Sequence, residues 1–189
     1  MHAFHRAERG FSLIEMLVIV GIIGVLAAVA IPVTTGQIHR ARADSGSEVA
    51  IRAIANARAR AIAERRNVEL TLSLPNRVQL TRQDVNASGV TTGTTIVGDW
   101  NLEGGQEFLR FAGQGDTPDL FGGSGVINYG GIPPVMFTSD GSLVDSAGDV
   151  VNATVFLGVE HQPSTARAVT ILGVSGLMRT YKWSGTQWQ

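Results

Sequence analysis

The 189-residue chain contains no cysteine. No disulfide and no thiolate metal site is available to it, and thiol usage says nothing about compartment. Lysine occurs once, at Lys182, against fourteen arginines. The four histidines are His2, His5, His39 and His161, and none pairs with another at metal-ligand spacing. Aromatics make up only 6% of residues, and the formal net charge is -1, so the molecule is neither a polyanion nor a polycation. There is no phosphate-cradling GxxxxGK[ST] loop, no HExxH and no GxSxG elbow. These absences point to a protein that is not an enzyme and that carries no cofactor and no metal. Asp116 and Asp119 fall in a glycine-rich stretch but lack the oxygen-rich spacing of a calcium loop, so they read as solvated loop charges. Asn86-Ala87-Ser88 and Asn152-Ala153-Thr154 match the glycosylation sequon, at a frequency that chance explains.

The most telling absence is of charge. From Met16 to Ile38 there is none at all. The run GFSLIEMLVIVGIIGVLAAVAIP, Gly10 to Pro32, opens it, with one carboxylate, Glu15, near its start. At about 1.5 Å per helical residue such a run reaches across a hydrocarbon core of about 30 Å. A carboxylate at the mouth of that helix is costly and marks function. A cleaved secretory signal would have a shorter apolar core of about 7–15 residues, with its cut behind it. Arg6 and Arg9 before the run are balanced by Arg40 and Arg42 after it, so charge alone sets no orientation.

This run resembles the N-terminal signature of type IV prepilins and of the pseudopilins of type II secretion. The resemblance implies that a prepilin peptidase cuts after Gly10 and that the new terminal residue, Phe11, is N-methylated. It also implies assembly roles for Glu15, the fifth mature residue, and for Pro32 within the long helix. Glycine suits the scissile position because it presents no side chain to the protease. Glu15 can pair with the Phe11 amine of a neighbouring subunit, which would offset its desolvation and fix the axial stagger. The other reading is that Glu15 simply favours the positive end of its own helix. Gly21, Gly24, Ala27, Ala28 and Ala30 thin the helix surface for close packing.

Four segments follow. Residues 1–10 are a leader, 11–38 a transmembrane and assembly helix, 39–66 its periplasmic half and 67–189 an antiparallel β domain. The helix is expected over about residues 12–65, with interruptions at Pro32 and Gly46. Ile51, Ile54, Ala57, Ala61 and Ile62 form an apolar stripe at helical spacing that should pack on a sheet. After Asn67 the period becomes two. VELTLSL (68–74) and RVQLTR (77–82) read as strands around a Pro75-Asn76 turn, with shorter pieces at 95–97, 108–111 and 126–129. Residues 133–144 read as a hairpin through Asp140-Gly141, and 150–159, 166–172 and 177–183 as closing strands. The fold class is α+β: a long N-terminal helix packed on an antiparallel β-sheet domain, type IV pilin-like.

NARARAIAERRNVELTLSL (56–74), FTSDGSLV (137–144) and RAVTILGVSGLMRTYKW (167–183) resemble the helix end, central hairpin and closing hairpin of GspH/FimT-type minor pilins. The implied function is that of a minor pilin or pseudopilin that primes or caps a type IV pilus or type II secretion pseudopilus. The implied partners are the prepilin peptidase, other major and minor pilins or pseudopilins, the inner-membrane assembly platform, and membrane lipid before assembly. The implied location is a single pass of the inner membrane with a periplasmic C-terminal domain, then the fibre. The alternative is DNA uptake. Arg167, Arg179 and Lys182 lie with Tyr181, Trp183 and Trp188 in a segment with no acid after Glu160. Some FimT-like pilins bind DNA through a GRxR motif; here the run is Gly176-Leu177-Met178-Arg179, with one arginine replaced by leucine. Residues 67–189 hold six basic and eleven acidic residues, a balance that repels a polyanion.

Overall fold

A computed structural model describes residues 12–189, apart from the side chains of 29–37, 39 and 40. The chain divides into two compact units, Met1–Ile38 and His39–Gln189. Helix α1 (Leu13–Glu64) supplies the described helix of both. Its backbone stays helical through Pro32 and Gly46, where the sequence predicts interruptions. Gly46 has a packing reason instead. A β-carbon there would lie 2.6 Å from the Glu103 carbonyl oxygen and 2.8 Å from Gln106 Cβ, so glycine admits a loop against the helix. The helix closes in a Schellman turn. Arg65 adopts a left-handed φ of 51° and Arg66 N–H donates to the Ala61 carbonyl at 3.2 Å.

Ala43, Ala50, Ala53, Ile54, Ala57 and Ala61 are buried, and their spacing turns one face of the second part of α1 inward. Five alanines keep that face thin. Ile62, expected in the stripe, is instead 41% exposed. In the second unit this face packs into one core with two sheets, where the sequence reading gives a single one.

The first sheet contains β1 (Val68–Ser73), β2 (Arg77–Val85) and β3 (Thr91–Asn101). The second contains β4 (Glu107–Phe108) and β5 (Ile127–Tyr129), both pairing with the later strand at Ala153–Val159. The chain then returns to the first sheet with β6 (Val135–Phe137) and β7 (Leu143–Val144). The second sheet is completed by β8 (Ala153–Val159), β9 (Gln162–Leu172) and β10 (Leu177–Lys182). The strand orders are β3-β2-β1-β6-β7 and β10-β9-β8-β4. All named pairings are antiparallel.

The period-two reading of the first hairpin holds. Val68, Leu70, Val78 and Leu80 are all buried on the core side, and Val68 stands opposite Arg82. β3 covers eleven residues rather than the short piece read at 95–97. Asp140-Gly141 turns the β6–β7 hairpin, with Phe137 opposite Leu143. Nearly all of β8 is buried because both its faces are covered. Val155 and Leu157 face the main core, whereas Phe156 joins Ala166, Ala168 and Trp188 in a second, smaller one. The chain end supplies that cover. Trp188 packs at a tilt against Phe156 at 5.5 Å and edge-on against Trp183 at 5.1 Å, and its Nε1 donates to the Gly115 carbonyl at 3.0 Å.

Candidate functional site

Two places carry the residues singled out in the sequence. The first is the start of α1. Gly10 and Phe11, with all of residues 1–10 expected as a leader, lie outside the described residues, as does the side chain of Pro32. Ser12 is the N-cap. Its Oγ accepts from Glu15 N–H at 3.2 Å, and its carbonyl accepts from Met16 N–H at 3.2 Å. Glu15 therefore sits in the first turn, three residues past the cap, where its negative charge favours the helix N-terminus. The Ser-x-x-Glu spacing that signals this cap is in the sequence, but the reading of Glu15 as an assembly residue passed over it.

Beyond the cap the first unit presents an apolar surface. Leu13 is 84% exposed and Val25 67%, and Ile14, Leu17, Val20, Ile23 and Leu26 are similarly open. Large apolar side chains in this density require a cover. Gly21 and Gly24 have nothing within 4 Å of an added β-carbon. Among the described residues, no helix is long and apolar enough to cross a membrane.

The second place is the β9–β10 hairpin. Cross-strand pairing brings Arg167 opposite Lys182, and Thr170 opposite Arg179. Arg167 is only 5% exposed. Its Nε meets Asp44 Oδ1 of α1 at 2.8 Å, and its Nη1 donates to the Ala166 carbonyl at 2.9 Å. Lys182 Nζ reaches the same carboxylate at 3.1 Å. Burial pushes the Asp44 carboxyl up, but the hydrogen bonds and charges of Arg167 and Lys182 outweigh it and hold the carboxyl below its ordinary value.

Arg179 Nη1 meets Asp119 Oδ1 at 2.6 Å, and Thr170 Oγ1 donates to Asp119 Oδ2 at 2.5 Å. Burial of Asp119 is outweighed in the same way by hydrogen bonds from Thr170, Tyr181 and Arg179, so its carboxyl too lies below the ordinary range. The Asp119 side chain is 9% exposed, which corrects its reading as a solvated loop charge. Asp116 is also engaged, accepting from Thr117 N–H and Gly122 N–H at 2.8 Å each and closing the loop on itself. Among the described residues, no group of three or more His, Cys, Asp and Glu is placed to hold a metal ion.

The hairpin thus sets Arg167 beside Lys182 on one face and Arg179 beside Thr170 on the other, so the three basic residues do not share one surface, and each is matched with a carboxylate. Asp44 and Asp119 were not identified as partners. Asp44 lies 123 residues before Arg167, and no local pattern links residues at that distance. Tyr181 and Trp183 pack on the small core, and Trp188 lies within it rather than on a base-stacking surface.

Residues 5–31 match the prokaryotic N-terminal methylation motif, the type IV pilin-like signal. The match spans Gly10, Phe11 and Glu15. It supports a pilus or pseudopilus subunit of the type IV pilin-like kind, and it implies processing by a prepilin peptidase and assembly with other pilins. No solved structure matches the chain.

Proposed function

We propose that the protein is a minor pilin or minor pseudopilin of the GspH/FimT type, anchored in the inner membrane by residues 11–38 and then drawn into a fibre that it helps to prime or cap. The observation that carries this reading is the methylation motif running into a capped helix whose large apolar side chains stand exposed from Leu13 to Leu26. Lipid covers such a surface before assembly, and neighbouring helices cover it afterwards. The cleaved Phe11 amine would supply a cation for Glu15 of an adjacent subunit, since a carboxylate taken out of water persists only if paired. The second unit, with its own core, presents the surface toward other subunits. No reaction is assigned to it.

DNA uptake draws less support. A phosphate contact needs a free, accessible cation. Arg167 is buried, and Arg179 and Lys182 are each within about 3 Å of a carboxylate.

The test is Glu15→Ala in the native host, followed by separation of sheared fibre from membrane. The variant should be processed and should remain in the membrane fraction. Its incorporation should fall about tenfold or more, the loss expected when an unscreened ion pair is removed. Incorporation equal to wild type would sink the pairing role.

A further inference from the structure

We propose that Asn86 is an acceptor site for N-linked glycosylation, taking an oligosaccharide from a lipid-diphosphate donor. The inference rests on the preceding reading in one respect: the second unit must lie outside the cytoplasm, where a membrane-bound transferase can reach it.

The two sequons separate cleanly in the fold. Asn86-Ala87-Ser88 forms the tip of the β2–β3 hairpin, and residues 86–90 are all exposed. The tip is held by Asn86 N–H donating to the Val90 carbonyl at 2.9 Å and Gly89 N–H to the Asn86 carbonyl at 3.0 Å. Asn86 Oδ1 accepts from both Ser88 N–H and Val90 N–H at 3.0 Å. Two N–H donors can be met only by the amide oxygen, so this network fixes which end is oxygen and which is nitrogen. Nδ2 is therefore the remaining end, and it has no hydrogen-bond partner among the described residues. The Ser88 hydroxyl likewise makes no hydrogen bond there, and both remain available to a transferase.

Asn152-Ala153-Thr154 is the built-in contrast. Asn152 Oδ1 accepts from Gly173 N–H at 2.9 Å. Ala153 and Thr154 begin β8 and are 1% and 0% exposed. A transferase cannot read that copy without unfolding the second sheet.

The chemistry balances on Asn86. Hydrogen bonds to Oδ1 draw electron density from the amide and raise the acidity of its N–H. A bond forms between Nδ2 and the anomeric carbon of the donor as the bond from that carbon to the diphosphate oxygen breaks. The breaking pair leaves with the lipid diphosphate, and the Nδ2 proton passes to a base on the transferase. The product is a bulky polar group on the protein surface. It would stand at one end of β3, the outermost strand of its sheet, whose free edge has no pairing partner among the described residues. Bulk at that position hinders edge-to-edge association.

The test is intact-mass and peptide mass spectrometry of the full chain purified from its native host. The expected spectrum shows a chain lacking residues 1–10, with a saccharide mass on the peptide containing Asn86. That mass should vanish in Asn86→Gln and in Ser88→Ala, and persist in Ser88→Thr and Asn152→Gln. Ser88→Ala leaves the backbone N–H bond to Asn86 in place, so loss of the sugar there is not loss of the turn. A processed chain with a bare Asn86 overturns the acceptor site and leaves the pilin reading standing. A bare chain that retains its leader overturns both. A sugar retained in Asn86→Gln overturns the assignment to this residue.

Discussion

Arg167 is buried, and the carboxylate that makes its burial tolerable comes from α1, 123 residues earlier. An unpaired guanidinium in that position would cost several kcal/mol. Asp44→Ala should therefore destabilise the second unit by about 1–3 kcal/mol, less than for a fully enclosed pair because the Asp44 side chain is 42% exposed. Lys182→Ala, at a side chain 64% exposed, should cost under about 1 kcal/mol. Urea unfolding followed by tryptophan fluorescence measures both, and equal effects would contradict the ranking. The pH dependence has a definite sign. The Asp44 carboxyl lies below its unfolded value, so its contribution is present above about pH 4 and is lost as pH falls through the folded value. The difference between wild type and Asp44→Ala should shrink accordingly in acid. This pairing was not legible in the sequence, which shows a basic hairpin and says nothing of a distant aspartate. The Ser12 cap was legible, because its signal spans only four residues.

At the scale of elements, Gly46 separates propensity from packing. Alanine in a helix interior is favoured over glycine by about 1 kcal/mol. Here its methyl group would press on the Glu103 carbonyl and the Gln106 side chain, and forcing extra volume into a packed contact costs about 1–3 kcal/mol. Packing should win, so Gly46→Ala should lower the unfolding midpoint, and a raised midpoint would show that the loop gives way. In sequence the residue reads only as a weak place in a helix. The long helix, the first hairpin and the closing hairpin were legible because each carries several repeats of its own period. The division into two sheets was not. β4 and β7 are two residues long and β5 three, too short to show any period, and these strands decide which sheet each segment joins. The buried length of β8 follows from a loop and a chain end folding over it, which no local pattern records.

For the molecule as a whole, the two units answer different needs. The second has its own buried apolar core, whereas the described helix of the first leaves large apolar side chains exposed from Leu13 to Leu26. That contrast was legible from the charge-free run alone, since a stretch without charge needs no tertiary context to be seen. The match to the methylation motif over residues 5–31 gives it a chemical meaning, because that motif implies processing by a prepilin peptidase and the matched segment spans Gly10, Phe11 and Glu15. Mass spectrometry of the N-terminal peptide from protein isolated in its native host tests this most directly. The expected peptide begins at Phe11 and carries one methyl group on its amine. A peptide beginning at Met1, or a cut downstream of Ile38, would contradict it.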